Sequence, residues 1–98
     1  MLKETAVVLT AAFSTGGPAP APAVPAVLER IAQCESGGDP TVVSSTGMYR
    51  GKYQFSRATW EAMGGTGDPA RAPEAVQDRL ALKLYRQAGT SPWPVCGG

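Results

Sequence analysis

Apolar residues recur along this chain at changing spacings, and each change marks where one element gives way to the next. After Pro25, the residues Leu28, Ile31 and Glu35 fall at i, i+3 and i+7, so a helix beginning near Ala26 buries Leu28 and Ile31 on the face that also carries Glu35. Pro25 suits the entry of that helix and Gly37-Gly38 its exit, which places Glu35 in the last turn, facing the interior or the edge of a cleft. Thr41 to Phe55 combines Val42-Val43, a Ser-Ser-Thr-Gly turn and an alternating stretch from Met48 to Phe55, and reads as a loop or a small hairpin. Ser56 is an N-cap for a short helix through Met63, stopped by Gly64-Gly65. The clearest helix follows Pro73: Glu74 occupies its first turn, Val76, Leu80 and Leu84 line one face, and Gly89 ends it. Gln87 lies seven residues beyond Leu80, so its amide is expected to point inward as well.

Ahead of these elements the pattern is different. Lys3 precedes the apolar run from Ala6 to Phe13, too short to span a bilayer but long enough for a signal-peptide core, and a small-x-small site follows at Ala21-Pro22-Ala23. Glu4 and the crowded prolines depart from that pattern, and a short helix packed on the domain is the alternative. Ser14 to Pro25 alternates alanine and proline, a composition that prefers extended polyproline geometry to a packed element. The expected organisation is therefore a signal-like segment and spacer over residues 1–25 and one folded domain over residues 26–98, with no stable membrane insertion.

A folded unit of about 70 residues lies at the lower edge of what a hydrophobic core stabilises alone. The chain has two cysteines, Cys34 and Cys96, which allow one intramolecular pairing. Closing a loop of about sixty residues contributes roughly 4 kcal/mol in the chain-entropy model, and such a bridge belongs where thiols stay oxidised, outside the cytoplasm. Two buried free thiols are the other possibility. A net charge of +1 with no basic stripe argues against nucleic acid as a partner. With no histidine, Ser-His and Cys-His nucleophile pairs are excluded, and two distant cysteines do not make a zinc site. Carboxylates are the acid–base groups left. Glu35 is the first of them: the negative end of a helix dipole and partial burial both push a carboxyl's pKa upward, as a general acid requires. Its plain alternative is a solvated glutamate that happens to precede a glycine stop.

The segments Cys34-Glu35-Ser36-Gly37-Gly38, Gly51-Lys52-Tyr53-Gln54-Phe55, Ala58-Thr59-Trp60-Glu61 and Trp93-Pro94-Val95-Cys96 resemble the resuscitation-promoting factor family over roughly residues 27 to 97. The resemblance implies a small, mainly α (α+β), lysozyme-like domain stapled by a Cys34–Cys96 disulfide, with Glu35 as its catalytic acid. It implies cleavage of the β-1,4 bond between N-acetylmuramic acid and N-acetylglucosamine in peptidoglycan, by a lytic transglycosylase or a lysozyme, in wall remodelling and resuscitation from dormancy. Thr59 and Gln87 match family positions that contact the sugar. Tyr49 and Gln54 are candidates for the other cleft wall, since tyrosine offers a flat apolar face and a hydroxyl, and glutamine a donor and an acceptor. Trp60 and Trp93 are expected in the core. No metal, nucleotide or other cofactor is implied; the partners implied are glycan strands and another cell-wall hydrolase, and the protein is expected to be secreted and monomeric.

The chain also departs from the family, which usually has a tryptophan before the Cys-Glu pair, another after Gly-Gly, and Gly-Gly before Gln-Phe. Here those places read Val27-Leu28-Glu29, Asp39-Pro40-Thr41 and Lys52-Tyr53. No second carboxylate plainly accompanies Glu35: Asp39 lies beyond the glycines, Glu61 on a short exposed helix, and Glu74 and Asp78 early in the last helix. Two other classes stay open beside the enzyme: a non-catalytic wall-binding or signalling domain, and a disulfide-stapled structural module.

Overall fold

The computed structural model describes residues 23–98, so the signal-like segment and most of the spacer lie outside the described residues. Three helices follow in order: α1 (Ala26–Ser36), α2 (Arg57–Ala62) and α3 (Glu74–Ala88), with a 3-10 turn at Pro69–Arg71 between the last two. Each begins where its sequence signal stands. Pro25 and Pro73 precede α1 and α3 with φ fixed near −60° and −55°, and the Ser56 hydroxyl accepts the Thr59 N–H at the head of α2. Gly37 closes α1 in the left-handed region at φ 68°, donating its N–H back toward Ala32 and Gln33.

The stretch expected as a loop or a small hairpin is a looped ribbon with two isolated antiparallel bridges, Val43 with Arg50 and Arg50 with Phe55, and no strand forms among the described residues. The reason lies in the turn between them. Gly51 takes φ 88° and Gln54 φ 55°, so the chain folds back on itself before a ladder can extend. Arg50 then pairs on both sides within one short ribbon.

Leu28 and Ile31 of α1, Tyr53 and Phe55 of the ribbon, Trp60 of α2, Ala81 of α3 and Trp93 beyond it form one buried cluster. Trp60 and Trp93 are core residues, as expected, at 1% and 4% exposure. Phe55 meets Trp60 edge to face at 5.1 Å between ring centres, and the Trp93 indole N–H donates to the Tyr53 carbonyl at 3.0 Å. The Cys34–Cys96 disulfide is present, with Cα atoms 5.6 Å apart across 62 positions of sequence, and neither cysteine is free. It fastens the segment after α3 to the last turn of α1.

The two buried polar side chains of this small core, Gln77 and Asp78, are both hydrogen-bonded. Gln77 of α3 is 0% exposed; its Nε2 donates to the Pro40 and Ala72 carbonyls at 3.1 and 2.9 Å, and its Oε1 accepts the Lys52 N–H at 2.7 Å. The other side of the Lys52 residue is held too, because the Ser36 hydroxyl donates to the Lys52 carbonyl at 2.7 Å. Gln77 and Ser36 therefore clamp the ribbon between α1 and α3. A Cβ at Gly51 would stand 2.5 Å from Gln77 Oε1, so glycine is required there by contact as well as by φ.

Candidate active site

Glu35 sits in the last turn of α1, half-buried, on the wall of a cavity of about 400 Å³. The same cavity is lined by Tyr49 and Gln54 from the ribbon and by Pro92, Trp93, Pro94, Val95 and Cys96 from the segment after α3. Glu35 is the one carboxylate among these residues. No hydrogen bond or ion pair holds it among the described residues, and burial raises its pKa above the usual 4.5. Burial is the cause at work here. A carboxyl so placed keeps its proton further toward neutral pH than a solvated one, which suits proton donation to a leaving oxygen.

The other carboxylates are committed elsewhere. Asp39 is exposed, and its Oδ1 accepts both the Thr41 N–H and the Thr41 hydroxyl, at 2.8 and 2.7 Å, which lowers its pKa. Glu61 is exposed on α2. Asp78 is buried against Lys52 and the Tyr53 hydroxyl, at 2.8 and 2.6 Å, and Glu74 pairs with Lys52 at 2.7 Å. Among the described residues no group of three or more histidine, cysteine or acidic side chains could hold a metal ion.

A smaller cavity of about 260 Å³ adjoins the first, sharing Tyr49, Gln54, Pro92 and Trp93 with it. Thr59 of α2 lines this side chamber with Ser56, Phe55, Tyr53 and Leu84. The fold thus brings four candidate residues, Glu35, Tyr49, Gln54 and Thr59, to two joined cavities. Gln87 is not among them. It is exposed in the last turn of α3 and lines neither cavity, against the expectation of an inward amide. The buried stripe of α3 runs through Gln77, Ala81 and Leu84, and Leu80 lies on its flank, so counting from Leu80 carries Gln87 off the buried face. Arg86, Gln87 and Ala88 are all exposed there, just before the chain leaves the helix at Gly89.

Lys52 and Tyr53, which replace the small residues usual in the family, do not crowd Glu35. Tyr53 is fully buried, and its hydroxyl pKa is pushed up, first by burial and then by its bond to Asp78. The Lys52 ammonium is drawn to Glu74 and Asp78, along a different cavity of about 480 Å³. A further cavity, of about 550 Å³, lies at Pro40, Val43 and the Arg50–Asp68 ion pair and contains none of the candidate residues.

Gln77 and Ser36 escaped the sequence reading. Gln77 carries a signal in hindsight, a polar residue in phase with Ala81 and Leu84; the Ser36 bond to Lys52, 16 residues away, carries none.

Residues 22–96 match the family of transglycosylase-like domains. The chain belongs to that family. The transglycosylase-like chain is 47% identical over 70 residues to the probable transglycosylase SceD of Staphylococcus haemolyticus, a match covering 67% of this chain and 30% of that protein. It is 38% identical over 89 residues to the resuscitation-promoting factor RpfC of Mycobacterium tuberculosis, covering 91% of this chain and 59% of the relative. With RpfE of the same species the identity is 44% over 69 residues, or 70% of this chain and 40% of the relative. The resemblance to resuscitation-promoting factors holds, and the chain spans less than two thirds of each of these relatives.

Proposed function

We propose that this domain is a lytic transglycosylase that cleaves the β-1,4 bond between N-acetylmuramic acid and N-acetylglucosamine in peptidoglycan, with Glu35 as its one acid–base residue. The observation that carries the reading is the solitude of Glu35: a half-buried carboxyl with a raised pKa, and no second carboxylate in its cavity. Two-carboxylate glycosidases hold their pair roughly 5–10 Å apart across the bond, and this cavity offers no such partner. In the proposed reaction Glu35 donates its proton to the bridging oxygen as the bond from the muramyl C1 breaks. The muramyl acetamido group stabilises the cation that develops at C1. The Glu35 carboxylate then takes the proton of the muramyl 6-hydroxyl, whose oxygen closes on C1 to give the 1,6-anhydro ring and restores the acid. Tyr49 provides a sugar face at the cavity mouth, 47% exposed.

The substrate places the protein at the cell wall. The disulfide is consistent with secretion, and no helix among the described residues is long and apolar enough to cross a membrane.

The test is product analysis by mass spectrometry after incubation with purified sacculi, wild type beside Glu35→Gln. Soluble fragments ending in 1,6-anhydromuramic acid from the wild type alone are expected. Fragments one water heavier would make the enzyme a lysozyme, and the absence of soluble fragments would refute both and leave a wall-binding domain.

A further inference from the structure

The ribbon that lends Tyr49 and Gln54 to the Glu35 cavity lends Val43 and Arg50 to the cavity of about 550 Å³. Pro40 and Thr41 continue that wall, Ala70, Arg71 and Ala72 form the other, and the Arg50–Asp68 ion pair joins the two. Both walls are fixed from beneath. The buried Gln77 amide donates to the Pro40 carbonyl on one and to the Ala72 carbonyl on the other, at 3.1 and 2.9 Å. Asp68 accepts Arg50 Nε and Nη2 at 2.7 and 2.8 Å, and also the Ala70 N–H at 2.9 Å. A cavity built in this way loses little freedom when a ligand enters.

Its charge is unbalanced. Arg50 and Asp68 cancel one another, and the pair stays ionised because the Arg50 bonds hold the Asp68 carboxyl down at about 2. Arg71 is exposed on the same cavity, and no hydrogen bond or ion pair holds its guanidinium among the described residues. Arg50 spends three of its five N–H donors, on Asp68 and on the Gly47 carbonyl, and keeps two. The nearby Asp39 carboxylate does not line the cavity; it accepts the Thr41 N–H and the Thr41 hydroxyl, which commits that hydroxyl hydrogen as well. Pro40, Val43, Ala70 and Ala72 complete the lining with small apolar surface.

An unpaired guanidinium grips an anion with two oxygens in one plane, and the lining asks for small apolar groups beside it. A neutral sugar ring offers no such charge. The peptide stem that hangs from the lactyl group of the muramyl sugar offers both, since it combines alanine residues with free carboxylates. Four residues extended span roughly 13–14 Å, more than the roughly 10 Å breadth of three paired segments, so a stem on a sugar at the Glu35 cavity reaches across the ribbon.

We propose that the cavity at Arg71 is a subsite for the peptide stem of peptidoglycan. A stem carboxylate lies on the Arg71 guanidinium, and an alanine methyl rests against Val43 and Ala70. The subsite rests on the peptidoglycan reading and adds recognition of the peptide to that of the glycan. A phosphate polymer of the wall suits the cavity less, because its repeating charges meet one unpaired arginine and its backbone leaves the apolar lining unused.

The experiment is an NMR titration of the full chain at 0.15 M salt with N-acetylated L-Ala-γ-D-Glu-L-Lys-D-Ala, its two carboxyls free, and with the same peptide after amidation of both. The free acid is expected to bind about three- to tenfold more tightly and to shift the amide signals of Thr41, Val43, Arg71 and Ala72. Arg71→Gln should abolish that preference, and Arg30→Gln, which removes an exposed charge on α1, should keep it. Thermal melts of both variants check that the fold is unchanged. Equal binding of the two peptides, binding of neither, a preference that survives Arg71→Gln or disappears equally in Arg30→Gln, or shifts confined to the Glu35 cavity would overturn the subsite. Tighter binding of poly(glycerol phosphate) than of the free acid would overturn it in favour of an anionic polymer. The sacculus digest is read separately: cleavage without a peptide preference sinks the subsite alone, and preference without cleavage sinks the enzymatic reading alone.

Discussion

Cys96 is bonded to Cys34, the residue immediately before Glu35, and is itself part of the wall of the cavity that Glu35 lines. One covalent link therefore fixes both sides of the candidate active site, the last turn of α1 and the segment that runs from Trp93 to Cys96. Trp93 anchors that segment a second time, through its buried ring and its bond to the Tyr53 carbonyl. The cleft wall is thus held from the core and from α1.

Loss of the link should be felt in stability first. With the cysteines 62 positions apart in sequence, Cys96→Ser is expected to cost about 4 kcal/mol of unfolding free energy in the chain-entropy model. Urea denaturation of the oxidised wild type and the variant measures it; a difference below about 1 kcal/mol would mean that the core alone carries the fold.

Glu35→Gln should fold and lose at least about two orders of magnitude in glycan cleavage, the scale of removing a general acid. Release of soluble muropeptides from sacculi is the measurement. Near-normal release by the variant would move the acid to another carboxylate.

The same substitution has an expected sign in stability. The folded-state pKa of Glu35 lies above its ordinary 4.5, so the folded protein binds that proton more tightly than the unfolded chain, and its contribution is lost as pH rises through the folded value. At neutral pH the ionised, half-buried carboxylate is a cost, and Glu35→Gln should melt higher than the wild type. The gap should close below pH 4.5, where the carboxyl is protonated in both states. Cleavage by the wild type should fall over the same rise in pH, since only the protonated form donates. Thermal melts and rates across pH 3 to 8 check both; a variant that melts lower at pH 7 contradicts the account.

The two glutamines of α3 should behave in opposite ways. Gln77→Leu strands the Lys52 N–H and the Pro40 and Ala72 carbonyls inside the protein, and a loss above about 3 kcal/mol is expected. Gln87→Ala touches an exposed side chain and should leave stability within about 0.5 kcal/mol and cleavage within about twofold. A tenfold loss of cleavage in Gln87→Ala would show that substrate reaches the last turn of α3.

What the chain determined by itself is what local rules govern. Pro25, Ser56 and Pro73 mark the helix starts, Gly37 and Gly89 the ends, and the i, i+3, i+7 phase of Leu28, Ile31 and Glu35 sets the acid beside the buried face, because backbone geometry and capping act within one or two turns. The cysteine pairing was equally open to reading, since two cysteines admit one partner each. Tertiary structure alone decided the rest. The phase that worked for Glu35 failed for Gln87, because facing inward requires something packed on top, and among the described residues Gln87 lies exposed at the edge of the buried face of α3. Met48 to Phe55 alternates like a strand, yet Gly51, pressed against Gln77 from 26 positions away, bends it before a ladder forms. The bond of the Gln54 amide to the Val42 carbonyl, and the clamp on Lys52 by Ser36 and Gln77, are likewise contacts between residues distant in sequence. No local pattern encodes them, because their energy comes from burying polar groups that must all find partners at once.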